Sequence, residues 1–116
     1  MDGGLGYHQR MVRVAEERSL ELHRAVAARI VGDPRVVDRA LGRVRGWQAD
    51  GSVHREYAER WRALLEGPRE ALLAMLVDRA EEACALRQVT PFAGVVAPRD
   101  RWRIWREVLR RVPVAP

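Results

Sequence analysis

Residues 86–112 read Leu-Arg-Gln-Val-Thr-Pro-Phe-Ala-Gly-Val-Val-Ala-Pro-Arg-Asp-Arg-Trp-Arg-Ile-Trp-Arg-Glu-Val-Leu-Arg-Arg-Val. Pro91 and Pro98 bracket an apolar segment, Phe92 to Val96, too short and too punctuated for a helix. After Pro98 the pattern turns helical. Pro98 suits the first helical position, where its missing N–H costs nothing, and Asp100 places negative charge in the first turn. Ala97 is a poor N-cap, so this start is only partly signalled. At about 100° per residue, Trp102, Trp105, Val108, Leu109 and Val112 fall to one side. Arg99, Arg103, Arg106 and Arg110 recur at i, i+4, i+7 and i+11 and form one stripe beside Trp102. Arg103 stands four residues before Glu107, the spacing of a surface pair. The face admits two readings. In one, the Trp side is core and the Arg stripe is solvated. In the other the two together form a binding surface, because Trp and Arg are the types enriched at interface hot spots and Arg offers bidentate donors to carboxylate or phosphate.

Helical periods separated by turn signals account for the rest of the chain. Helical pattern begins near Met11, an alternative start of the chain, and residues 1–10, with three glycines, read as a frayed extension. Leu22, Ala25, Val26 and Ile30 step at helical spacing, and Ser19 either caps a separate start or lies inside a longer helix. Gly32-Asp33-Pro34 is a stop and restart: C-terminal glycine, N-cap, first-turn proline. The second helix runs to about Gln48, with Val37, Ala40, Leu41 and Val44 on one face. After the turn Ala49-Asp50-Gly51-Ser52, Ser52 is placed to cap a helix over 53–66 that carries Tyr57, Trp61, Leu64 and Leu65 on one stripe. Gly67-Pro68 starts a fourth helix with Leu72, Leu73, Met75 and Leu76. Asp78 followed by Glu81 resembles a capping box and predicts a kink or restart near Val77. No segment alternates with period two for long; Val95-Val96 is the one brief strand candidate. The expectation is an all-α fold: one compact domain over 11–112, five or six helices with short connections, and a tail at 113–116. The expected core is Leu22, Val26, Ile30, Val37, Leu41, Val44, Trp61, Leu65, Leu72 and Leu76.

At 116 residues the chain has room for one modest core, and a compact domain of this length has a radius of gyration of roughly 13 Å. No apolar run approaches the ~20 residues of a membrane span, and the N-terminus lacks a signal pattern, so the expected location is cytoplasmic. The lone Cys84 has no internal disulfide partner and is expected to be a small buried hydrophobe. All 21 basic residues are Arg, a mark of a GC-rich genome, so Arg abundance alone says little about nucleic acid. Its distribution says more. Residues 99–111 hold six Arg against Asp100 and Glu107, which is +4 of the formal +5. The basicity is one local patch, and that bears on partners.

Catalytic patterns are missing. His8, His23 and His54 form no His-Glu-x-x-His pair, one cysteine makes no zinc knuckle, and Gly3-Gly4-x-Gly6 has no preceding strand. Neither Ser19 nor Ser52 has a Gly-x-Ser-x-Gly setting. Carboxylates such as Glu16-Glu17 and Glu81-Glu82 stand among arginines, where surface ion pairs account for them. The expectation is a protein without catalytic residues, metal ligands, cofactor or small-molecule substrate.

The run Leu86-Arg87-Gln88-x-x-Pro91-Phe92-Ala93-Gly94-Val95-x-x-Pro98-Arg99-x-Arg101-Trp102-x-Ile104-Trp105-Arg106 resembles the C-terminal signature of small helical antitoxins of high-GC bacteria. In these toxin–antitoxin pairs the neighbouring gene encodes a nucleotidyltransferase-like toxin. The likeness spans about Leu22 to Val108, takes in Asp50-Gly51-Ser52-x-His54, and departs at Ala97, where Ser is expected. It implies a protein that binds a cognate toxin and occludes its active site. Together with the local charge it assigns Arg87, Gln88, Phe92, Arg99, Trp102, Arg103, Trp105, Arg106 and Arg110 to the partner-binding surface. Two other readings stand beside it. One is a nucleic-acid-binding regulator, with the second and third helices as a weak helix-turn-helix; their mixed Asp38, Glu56 and Glu59 charge argues against a phosphate-binding face. The other is a non-catalytic subunit of another assembly.

Overall fold

The computed structural model describes residues 3–113, with side chains from Gly6 onward. Six helices follow one another: α1 (Gly3–Gly32), α2 (Arg35–Asp50), α3 (Arg55–Glu66), α4 (Arg69–Leu76), α5 (Glu81–Arg87) and α6 (Pro98–Arg111). The fold is all-α, and no strand occurs among the described residues; Val95-Val96 lies in a turn region where the Val95 N–H bonds to the Phe92 carbonyl at 3.1 Å.

The local chemistry explains most boundaries. At the α1–α2 junction α1 runs through Gly32 and α2 starts at Arg35 with Pro34 at the N-cap, one residue later than the Asp33–Pro34 signal predicts. Asp33 Oδ1 accepts the Arg35 N–H at 3.2 Å, satisfying one orphan donor of the new helix. Helix α2 ends on Gly51, at φ 71°, with its N–H on the Trp47 carbonyl. That left-handed turn favours glycine. The start of α3 differs from expectation. Helix α3 is capped by His54, whose Nδ1 accepts the Glu56 N–H at 3.2 Å; Ser52 lies earlier, its own N–H held by Asp50 Oδ1. The helix therefore begins two residues later than the Ser52 signal predicts. Helix α4 stops at Leu76 and α5 starts at Glu81, the restart the sequence predicts, but Ala80 and not Asp78 is the N-cap. Asp78 Oδ1 accepts the Ala80 N–H at 2.9 Å just before the helix.

Helix α1 holds the fold together. It is one unbroken helix of 30 residues, with Ser19 inside it, and packs against α2, α4, α5 and α6. Its C-terminal half joins the main core: Val26 and Ile30 meet Val36, Val37, Ala40 and Val44 of α2, Ala58, Trp61 and Leu65 of α3, Leu72 and Leu76 of α4, Leu86 of α5, and Phe92. Its N-terminal half makes a second cluster with α6, where Val14 meets Ile104, Val108 and Val112. Leu22 and Leu41 are only half-buried; the other eight expected core residues are buried. Such a helix spans about 45 Å at 1.5 Å per residue. It gives the molecule a long axis of 47 Å and a radius of gyration of 15.5 Å, larger than a compact chain of this length would show.

The helix begins at Gly3, upstream of the Met11 boundary that the periodicity suggests. The cause is visible at Arg10, whose Nη2 donates to the Leu109 carbonyl of the last turn of α6 at 3.1 Å. A cation there meets the negative end of the helix and one of its orphan acceptors. None of residues 6–10 is buried. Starting the chain at Met11 is therefore expected to preserve the fold and lower stability by about 1 kcal/mol, read as a small drop in the urea midpoint. A collapse of the cooperative transition would show that more of this segment packs.

A second tie runs the same way. Glu17 of α1 accepts from Arg79, before α5, and from Arg111 at the end of α6, the latter at 3.0 Å. The Arg79 hydrogen bond, joined by the Arg111 charge, holds the Glu17 carboxyl below its usual range.

Candidate functional site

Helix α6 faces α1 along one edge and leaves the rest to solvent. Ile104, Val108 and Val112 are buried, Trp105 and Leu109 are half-buried, and the Trp102 ring is 61% exposed. Taking Ile104 as the origin, Val108 and Val112 lie at about 40° and 80°, Trp105 and Leu109 at about 100° and 140°, and Trp102 at about 160°. The apolar arc is wider than α1 can cover. Its centre of burial is shifted toward Ile104, which the sequence left off the core face, and Trp102 falls beyond the covered edge.

The four stripe arginines lie at about 200–260° on the same wheel, opposite the buried edge, and all four are exposed. Arg103 pairs with Asp100, one turn earlier, at 3.3 Å. This corrects the expected Arg103–Glu107 pair. Arg99, Arg106 and Arg110 have no ion pair among the described residues. The face thus presents Trp102 beside four guanidinium groups, three of them unpaired. Trp105 borders it less openly, since the Arg18 guanidinium of α1 stands 5.1 Å from its ring centroid. That contact is a cation–π pair and covers part of the ring.

The remaining residues assigned to the surface are placed differently. Gln88 is exposed but lies after α5, away from the α6 stripe in sequence and element. Phe92 is buried, packed edge-on to Trp61 at 5.7 Å and to His23 at 6.4 Å. Arg87 is 2% exposed. Its Nη1 donates to the Met75 carbonyl at 3.0 Å and its Nη2 reaches the Cys84 sulfur at 3.4 Å. Cys84 itself is half-buried rather than buried. Arg87 and Phe92 therefore support the segment that leads into α6 and do not share its outer face.

His23 is the polar residue that periodicity alone passes over. It lies on the buried face of α1 between Leu20 and Val26. Its Nδ1 lies 2.7 Å from the Ser19 carbonyl, which can only accept, so Nδ1 carries the proton. Nε2 then accepts from the Thr90 hydroxyl at 2.9 Å, and the Thr90 oxygen accepts the Phe92 N–H at 3.1 Å. One chain of hydrogen bonds thus fixes the 90–92 turn onto α1. Burial, with the Arg87 charge beside it, pushes the His23 pKa down to about 4 and keeps the ring neutral. The available signal was its spacing: His23, Val26 and Ile30 share one helical face.

Among the described residues no cluster of three or more His, Cys, Asp or Glu is placed to hold a metal ion, and no helix is long and apolar enough to cross a membrane. Comparison with protein-family models, with curated proteins and with solved structures finds no match to this chain.

Proposed function

We propose that this chain is a cytoplasmic antitoxin whose α6 face binds a nucleotidyltransferase-like toxin and covers its active site. The exposed Trp102 ring carries the reading. A large aromatic left open beside unpaired arginines has the composition of an interface centre and its rim. The likeness of residues 86–106 to the antitoxin signature supplies the partner class. Nucleotidyl transfer is a metal-assisted reaction whose ions are held by carboxylates. A cationic stripe complements such a centre.

The face from Arg55 to Glu66 gives less support to the nucleic-acid reading. There Arg55 pairs with Glu59, and Arg62 with Glu66, across successive turns, so its cations are already neutralised. A phosphate-binding face would leave them free.

The test is co-expression with the product of the adjacent gene, followed by size-exclusion chromatography and a binding measurement. The wild-type chain should co-elute with a nucleotidyltransferase-like protein. Arg103→Glu combined with Arg106→Glu should stay folded, because exposed substitutions change stability by only about 0.5 kcal/mol each. Its affinity for that partner should fall more than about tenfold. A folded double variant that binds as the wild type does would reject the α6 interface. Loss of salt-dependent DNA binding instead, with a salt slope lower by about two, would establish the regulator reading.

A further inference from the structure

A cavity of about 400 Å³ opens between α1 and the 87–101 segment, away from the outer face of α6. Leu22, Val26 and Val96 give it an apolar side, while Arg87, Arg18 and Arg101 border it, and no Asp or Glu does. Arg18 and Arg101 are exposed; Arg87 is not. Buried Arg87 makes two hydrogen bonds with five N–H groups, one of them to a sulfur, a weak acceptor, and its Nε has no partner. No carboxylate among the described residues lies within ion-pair distance of it. A guanidinium keeps its charge at any ordinary pH, so burial without an anion is unfavourable. The neighbouring His23 is neutral and fully engaged with Ser19 and Thr90. The cavity therefore has donors, positive charge and an apolar wall, and lacks negative charge.

We propose that this cavity binds a small organic anion, whose carboxylate or phosphate group meets Arg87 and whose apolar body lies against Leu22, Val26 and Val96. Both head groups accept guanidinium N–H donors; Arg87 keeps N–H groups beyond those spent on Met75 and Cys84, and Arg18 and Arg101 offer exposed ones. The organic body follows from size. Small-molecule sites run from roughly 300 to 1,000 Å³, and a bare inorganic ion would leave most of this space empty. Arg18 and Arg101, on the solvent side, raise the local concentration of anions and steer them inward.

Calorimetric titration of the full chain with phenyl phosphate, benzoate and benzyl alcohol tests the site. The three probes share an aromatic body and differ in head group. One or both anions should bind saturably at a single site, with benzyl alcohol at least about tenfold weaker. Preference for phenyl phosphate or for benzoate identifies the head group. Arg87→Met should abolish binding. Arg18→Gln with Arg101→Gln alters only exposed side chains and should weaken binding several-fold, which decides the matter if Arg87→Met fails to fold. Arg103→Glu with Arg106→Glu should bind the anions as the wild type does, because that stripe lies on the opposite side of α6. Absence of binding by either anion up to about 10 mM would overturn the site. So would equal binding of benzyl alcohol, undiminished binding by folded Arg87→Met, or undiminished binding by the Arg18/Arg101 variant.

Discussion

Trp61→Ala is expected to destabilise the protein by about 3–5 kcal/mol. The ring is completely buried in the main core and packs against Phe92 at 5.7 Å. Its Nε1 also donates to the Leu86 carbonyl at 3.1 Å. Alanine at this position removes the transfer free energy of the indole, leaves a cavity between α3 and the 86–92 segment, and leaves the Leu86 carbonyl with only the Val89 N–H as donor. The effect is large because domains of this size are stable by only about 5–15 kcal/mol. Trp61→Phe separates the contributions. It retains much of the ring volume, loses the indole hydrogen bond while the Leu86 carbonyl keeps the Val89 N–H, and is expected to cost about 1–3 kcal/mol, mostly from the residual void. Urea unfolding followed by far-ultraviolet circular dichroism reads both. A loss below about 1 kcal/mol for Trp61→Ala would contradict the packing described for the core.

Trp61 was legible in the sequence; Phe92 was not. Tyr57, Trp61, Leu64 and Leu65 share a helical stripe, and periodicity alone assigns that stripe to a core. Phe92 stands between two prolines with no period around it, so nothing local says which way it points. Its burial depends on the return of residues 88–97 across α1 and α3, a tertiary event that local patterns do not encode. Trp102 shows the converse. Its spacing puts it on the apolar side of α6, yet among the described residues the main partner of that helix is α1, and one helix covers less than the whole arc. The helix count and the places of the breaks followed from Gly, Pro and Asp placement, whose physics is local, while the capping residues themselves fell one or two positions later than expected at α2, α3 and α5. The His54 cap escaped because Ser is the commoner acceptor two residues earlier, and choosing between them requires the backbone.

Arg87 and His23 mark a further limit. A charged residue at the end of α5 reads as surface by default, since arginine is rarely buried without a partner. Two features place it inside. It follows Ala83 and Leu86 on the covered side of α5, and its guanidinium bridges to the Met75 carbonyl at the end of α4, joining two short helices. The α4–α5 break near Val77 was expected from Asp78, but a side chain reaching back to close it was not. The same charge then acts on His23, across the cavity wall, and gives the protein a pH response that composition conceals.

That response is a loss of stability in mild acid. In the unfolded chain a histidine titrates near 6.5; in the fold, burial first, and the Arg87 charge with it, lower His23 to about 4, against the opposing hydrogen bond to the Ser19 carbonyl. Between these values the unfolded state binds the extra proton and the folded state does not. Stability from His23 is therefore fully present above pH 6.5 and falls as pH drops toward 4, by on the order of 3 kcal/mol. Protonation would also turn Nε2 into a donor and break its acceptance from Thr90, releasing the 90–92 turn from α1. Glu17 responds in a different window. Its carboxyl is held below its ordinary value of 4.5, so its contribution is lost only at more acid pH. Urea midpoints measured from pH 7.5 down to pH 4.5 isolate the histidine. The wild type should lose stability steadily below pH 6.5, while His23→Gln should start lower at pH 7.5 and show a much flatter profile. Parallel profiles for the two proteins would mean that folding does not shift the titration of His23, and the neutral hydrogen-bonded chain from Ser19 to Phe92 would have to be abandoned.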